Sequence, residues 1–249
     1  MNTFCDKNVW ILGASSGIGE ALAIKLSAKG ANLILSSRSY KKLKLVNEKI
    51  KGSHEISVLD VRNEKLLERT AIKIKKKYGS IDSVIFMAAN YVPSTIEQLK
   101  IRDVRKIVDT NLLGVFNTIK AILPIMKQQE MGQIAICASL AGYRGLPRGQ
   151  PYSSTKAAII NLVETLKIEQ KDLDIKLINP GFVRTELTKK NKFKMPMIIE
   201  PERAAQIIAK GLLSGVFEIH FPITFSFFMK LIRILPSSIY FAISSHIKM

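Results

Sequence analysis

The sequence has little cysteine, histidine or tryptophan, and little acid relative to base. Two cysteines, Cys5 and Cys137, allow no disulfide framework and no metal-ligand spacing. They suit a reducing compartment. The three histidines, His54, His220 and His246, lie far apart with no i, i+4 pair. No metal site is expected from these residues. No apolar stretch reaches about 18 residues free of charge, so an ordinary membrane span is not expected. The opening residues, MNTFCDKNVWILG, lack a basic start followed by a long apolar run, which argues against a secretory signal. The expected location is cytoplasmic, with membrane association as a variant of it.

Acid is the scarcest charge. Twenty Asp and Glu stand against 38 Lys and Arg, giving a formal net charge of +18. Taken alone, that excess suits nucleic acid, an anionic membrane or an acidic protein. Yet 28 of the basic residues are Lys, and a genomic bias toward Lys and Ile codons would produce the same look. Aromatic residues make up 7% and are not interleaved with the basic clusters, so no nucleic-acid partner is expected. The densest run, Lys73–Lys77, fits a solvated helix end. With 47% hydrophobic and 23% charged residues, the composition excludes a disordered chain.

What is present is alternation. Near-continuous apolar runs of strand length occur at Lys7–Gly13, Ala31–Ser37, Glu55–Asp60, Ser83–Ala88, Gln133–Ser139 and Asp174–Asn179. Such runs fit strands covered on both faces. Helical spacing fills the intervals at Gly17–Lys29, Leu66–Tyr78, Val104–Gln129 and Ser153–Gln170. This pattern predicts an α/β fold: a Rossmann-type doubly wound parallel sheet with helices on both faces. Residues 1–216 form the dinucleotide-binding and catalytic unit in this reading. Residues 217–249 supply a last strand and an apolar, basic helical tail packed on or beside it.

The first strand runs directly into GASSGIG, Gly13 to Gly19, and then into a helix. Gly13 permits a tight turn, Gly17 a close approach by phosphate, and Gly19 close helix–strand packing. The loop, with Ser15, Ser16 and Ile18, presents a helix N-terminus to an anion. At the end of the second strand stand Ser36, Ser37 and Arg38, with no acid to hold a ribose 2′-hydroxyl. Arg38 can pair with a 2′-phosphate, so NADP(H) is expected, with NAD(H) as the alternative. Asp60 is placed to touch the adenine, and Val61 to pack on it.

Tyr152 and Lys156, in YSSTK, are four apart and share a helix face. A free phenol titrates near 10, and a nearby ammonium is expected to lower that value. Tyr152 then serves as general acid or base at a carbonyl or alcohol. Ser139, in CASLAG, leaves a strand C-terminus and can hold the substrate oxygen.

These segments, with Asn111 in TNLLG and NPGFVRT at Asn179–Thr185, resemble the short-chain dehydrogenase/reductase family, single-domain branch. The resemblance covers nearly the whole chain to about residue 215. It implies an oxidoreductase interconverting a carbonyl and an alcohol by hydride transfer. It implies that Asn111 interrupts a helix and positions a relay water, and that Lys156 also holds the nicotinamide ribose. It implies that Pro180, Gly181 and Val183 orient the nicotinamide, that Thr185 bonds its carboxamide, and that small residues at Ala88 and Ala89 pass the adenine ribose. Two departures from the family pattern stand out. Phe86-Met87 replaces a paired Asn, and Leu12 replaces Thr.

The segment from Thr185 to Pro201 carries Met195, Met197, Ile198 and Ile199, which suit an apolar or acyl-type substrate. The opposite wall offers Arg144 and Arg148. In the tail, Phe225, Phe228, Met229 and Ile232 fall at helical spacing with Lys230 and Arg233 among them, and Pro236 breaks the pattern. Residues 223–249 are expected to pack as core or as a homo-oligomer contact, dimer or tetramer. A second reading lays them on an anionic membrane, with Lys230 and Arg233 at the lipid. The competing functional readings are a non-catalytic nucleotide-binding scaffold and a 3-oxoacyl-carrier-protein reductase.

Overall fold

A computed structural model describes residues 1–52, 54–191 and 193–244. Its centre is a seven-stranded sheet of β1 (Asn8–Leu12), β2 (Asn32–Ser37), β3 (His54–Val58), β4 (Ser83–Phe86), β5 (Gln133–Cys137), β6 (Asp174–Pro180) and β7 (Glu218–Phe221). The order is β3-β2-β1-β4-β5-β6-β7, and every neighbouring pair is parallel. This is the doubly wound sheet that the alternation predicts. Strands β1, β4 and β5 are buried at every residue, which is why their sequences are almost wholly apolar. Polar pairs are built into this core: Trp10 Nε1 donates to Ser36 Oγ at 2.8 Å across the β1–β2 ladder, and Ser83 Oγ to Gln133 Oε1 at 2.9 Å across β4–β5.

On one face lie α1 (Gly17–Ser27), α2 (Tyr40–Asn47) and α7 (Pro201–Leu212), through Leu22, Leu43 and Ile208. On the other lie α3 (Glu64–Tyr78), α5 (Gly114–Gln129) and α6 (Tyr152–Glu169), through Leu67, Ile122 and Ile159. Two caps set helix starts. Ser39 Oγ accepts from Lys42 N at 3.4 Å, and Asn63 Oδ1 accepts from Leu66 N at 3.0 Å. Each cap contributes about 1 kcal/mol. Lys75, Lys76 and Lys77 close the last turn of α3, and Gly79 follows in the left-handed conformation. Lys73 and Lys77 bond Glu55 on β3 at 2.8 and 2.7 Å, so part of the densest basic run is paired within the fold.

The periodic segment Val104–Gln129 is not one helix. α4 (Ile101–Val108) passes into a π turn at Asp109–Leu113 before α5 begins. The physical reason is Asn111. Its side chain bonds both backbone groups of Asn90, accepting from N at 2.7 Å and donating to O at 3.0 Å. Such interruptions in helical hydrogen bonding recur at functional sites.

The tail begins inside the sheet, because β7 pairs with β6. α8 (Ile223–Ile234) and α9 (Ser237–Ser244) then fold over the α5–α6 face, where Met229, Ile232 and Tyr240 enter the core. Arg144 lies over the Tyr240 ring at 4.5 Å and donates to Leu235 O at 3.4 Å, so it holds the tail. The expectation for Lys230 is corrected. It turns inward to Glu218 at 2.6 Å, because the half-buried carboxylate needs a counter-charge. Arg233 sits over the Tyr143 ring at 5.6 Å while keeping solvent exposure. Phe228 is also corrected: it faces solvent rather than core. Residues 245–249 of the tail lie outside the described residues. Among the described residues no helix is long and apolar enough to cross a membrane.

Candidate active site

The sheet order reverses between β1 and β4, and a crevice opens at the strand C-termini there. Open α/β sheets bind ligands at this position. A cavity of about 420 Å³ occupies it. One end is the loop after β1. Gly13 sits at φ +93°, a conformation costly for any residue with a side chain, and a methyl group there would come within 2.5 Å of Ala88 N. A methyl on Gly19 would lie 2.1 Å from Gly13 O, so helix α1 meets its own loop at backbone contact. Ser15, Ser16, Gly17 and Ile18 line the same wall.

The next stretch of wall is Ser37, Arg38, Ser39 and Lys42 from the end of β2, with Asp60 and Val61 after β3. Asp60 is already engaged. Arg62 donates from Nε to Oδ1 at 3.0 Å and from Nη2 to Oδ2 at 2.6 Å. Arg62 holds the carboxyl below its ordinary value against the opposing effect of burial, and Arg38 adds a smaller pull. Ala88 and Ala89 pass beneath, and Met87 N donates to Leu12 O at 2.7 Å.

The far end gathers Ser139, Tyr152, Lys156, Pro180, Gly181, Val183 and Thr185. Their elements explain the convergence. Ser139 follows β5, Tyr152 opens α6 with Lys156 one turn on, and Pro180 ends β6. Ser139 Oγ donates to Pro180 O at 3.3 Å and accepts from Ala141 N at 3.1 Å. Lys156 is fully buried, with Nζ donating to Cys137 O at 2.7 Å. Burial lowers its pKa, since a charge is costly there.

One expectation is overturned. The phenol of Tyr152 is raised above its ordinary pKa, with burial the largest cause and nearby Cys137 adding to it, while the Ser139 hydroxyl pulls the other way. Lys156 does not produce the anticipated lowering. Its ammonium lies 5.5 Å from the ring centroid and gives one of its three hydrogen bonds to the Cys137 carbonyl.

Asn111 is the one expected catalytic or cofactor residue that does not line the cavity, and the residues expected against the substrate, Arg144, Arg148, Met195, Met197, Ile198 and Ile199, do not line it either. Asn111 is completely buried, and besides holding Asn90 its amide reaches Thr155 Oγ1 on α6 at 3.3 Å. Several residues near the far end carried no motif. Tyr91 meets the Tyr152 ring edge-on at 5.1 Å, and its hydroxyl donates to Asn191 Oδ1 at 2.7 Å. Phe182 packs between Phe193 and Phe225, each at 5.8 Å. Helical spacing marked Phe225, but nothing in the sequence linked it to Phe182, 43 positions earlier in the chain.

A doubly wound sheet with a glycine turn at its reversal point, and a Ser, a Tyr and a Lys meeting at the other end of one cavity, defines an α/β oxidoreductase. The chain matches the short chain dehydrogenase family over residues 7–195 and belongs to it. It is 30% identical to an uncharacterized oxidoreductase of Myxococcus xanthus over 96% of both chains. An alcohol dehydrogenase of the archaeon Thermococcus sibiricus, solved with 5-hydroxy-NADP, is similar at 30% identity and a TM-score of 0.78, over 86% of this chain and 95% of that one. A short chain dehydrogenase/reductase of Burkholderia phymatum, solved with NAD, shares the fold at 19% identity and a TM-score of 0.81, over 93% and 94% of the two chains.

Proposed function

We propose that this protein is an NADP(H)-dependent oxidoreductase that interconverts an apolar or acyl-type carbonyl compound and its alcohol. The observation that carries the reading is a single cavity lined at one end by the glycine loop and at the other by Ser139, Tyr152 and Lys156. A dinucleotide fits it. The backbone cradle at Gly13 and Gly19 admits no side chain, and the wall beyond carries Arg38 and Lys42. In the bound state the reduced nicotinamide supplies a hydride to the carbonyl carbon.

The chain's own residues do the rest. Gly13 to Gly19 would receive the pyrophosphate on free N–H groups. Arg38 would meet a 2′-phosphate, and Asp60 would not repel it because Arg62 neutralises the carboxylate. Asp60 and Val61 would border the adenine, with Ala88 and Ala89 beneath its ribose. Lys156 would hold the nicotinamide ribose, and Pro180, Gly181, Val183 and Thr185 would orient the ring. Ser139 would hold the substrate oxygen. Tyr152 would give its proton to that oxygen as the hydride arrives, and an alcohol forms. A phenol kept protonated by burial suits that donor role. Asn111 is a positioning residue in this scheme, fixing Asn90 and Thr155 behind the site. Tyr91, edge-on to the Tyr152 ring, supports an apolar substrate beside the acid.

The test is an assay of NADPH and NADH oxidation over ketones and aldehydes of graded chain length. Turnover is expected with NADPH preferred, and Tyr152→Phe should lower kcat by about 10²–10⁴ while cofactor binding persists. Arg38→Ala should erode the NADPH preference by roughly tenfold. Turnover that survives Tyr152→Phe would sink the mechanism. Cofactor binding with no turnover on any carbonyl would favour a nucleotide-loaded scaffold instead.

A further inference from the structure

We propose that the outward face of helix α8 docks on an anionic lipid surface. A solvent-facing helix ordinarily turns its polar side outward, and the outward side of α8 is mostly apolar. Its inward side is Ser226, Met229 and Ile232, all buried. Its outward side is Ile223, Phe227, Phe228, Leu231 and Ile234, which are 74%, 71%, 52%, 48% and 76% exposed, with Thr224 as the one uncharged polar residue among them. Phe241 on the following helix α9 is exposed as well, at 64%. Contiguous exposed apolar surface of this kind marks an interaction site.

The charges choose the occupant. No Asp or Glu follows Glu218 in the sequence. Glu218 itself is consumed by Lys230, Tyr143 and Asn179. Among the described residues the tail beyond Glu218 therefore carries only Lys230 and Arg233 as charged side chains, Lys230 answered by Glu218 and Arg233 lying over the Tyr143 ring. A second copy packed through this same face would bring two acid-free, basic tails together and gain no opposite charge. An anionic headgroup layer supplies the missing charge, and the whole chain carries +18 toward it. Twelve residues of α8 span about 18 Å, too short to cross a bilayer and suited to lying in its interface. The inner side of the helix reaches the catalytic end of the molecule. A methyl on Gly181 would lie 3.1 Å from Phe225 Cδ1. The docking surface is thus one helix thickness from the cavity wall.

The test floats the full-length protein with vesicles of mixed phosphatidylglycerol and phosphatidylcholine, and with phosphatidylcholine alone. The wild type is expected to rise with the anionic vesicles. Phe227→Glu combined with Leu231→Glu should reduce that binding at least tenfold. These side chains face solvent, so the thermal unfolding temperature should stay near that of the wild type. Ile72→Glu, an equally exposed apolar residue on α3, controls for the added charge and should still float. A wild type that stays down with both vesicle types overturns the proposal, as does a double variant that floats normally. A wild-type dimer that the double variant converts to monomer, with no vesicle binding, assigns the face to a second copy and overturns it too.

Discussion

A methyl group added at Gly19 would lie 2.1 Å from the carbonyl oxygen of Gly13 and 3.0 Å from its carbonyl carbon. Both obstacles are backbone, so the loop itself must move. Gly19→Ala should destabilise the fold by about 1–3 kcal/mol, the usual cost of overpacking. It should also weaken NADPH binding more than tenfold; calorimetric titration and thermal unfolding measure the two effects. Unchanged affinity would mean that the loop's tight closure is irrelevant to the nucleotide. At this scale the sequence was highly legible, because glycines at such spacing after a strand have few other uses. The electrostatics were less so. The spacing of Tyr152 and Lys156 is visible in the chain, but the destination of the ammonium is not. Only the folded β5 carbonyl at Cys137 captures it and leaves the phenol to the effect of burial.

Helices give the second scale, and the break between α4 and α5 is its clearest case. Hydrophobic period alone makes Val104–Gln129 continuous, since a π turn shifts the pattern without removing it. The partner that stabilises the break, the backbone of Asn90, is 21 residues away. Asn111→Ala would leave both backbone groups of the half-buried Asn90 without their side-chain partner. Such losses cost about 1–3 kcal/mol each when no water replaces the partner. A drop of that order in urea-unfolding free energy is expected, with the cavity residues otherwise in place. A neutral outcome would show that the break stands without its side chain. The tail helices obey the same lesson. The spacing of Met229 and Ile232 announced a helix, while the inward turn of Lys230 required Glu218 to stand on β7.

The whole molecule carries 38 basic residues against 20 acids, so acid conditions threaten it first through its few paired carboxylates. Glu55 is the most strongly held. Burial opposes its ionisation, yet hydrogen bonds from Lys73, Lys77 and Tyr78 bring its pKa down to about 2. A carboxyl lowered on folding adds stability above its unfolded pKa near 4.5, and that stability vanishes as pH falls toward 2. Solvent screening limits the contribution to about 1 kcal/mol. Glu55→Gln should therefore cost about that much at pH 6, and the difference from wild type should shrink as pH drops below about 4. Chemical unfolding of both proteins across that range checks it, and a constant gap would deny the linkage. By itself the sequence determined the sheet, the nucleotide turn and the identity of the residues at the cavity, because these rest on local period and on motifs at strand ends. Tertiary structure alone decided which cations are paired, which carbonyl the Lys156 ammonium bonds and which side of α8 faces outward. Those outcomes depend on partners distant in the chain, whose distances and burial exist only once the sheet has brought them together.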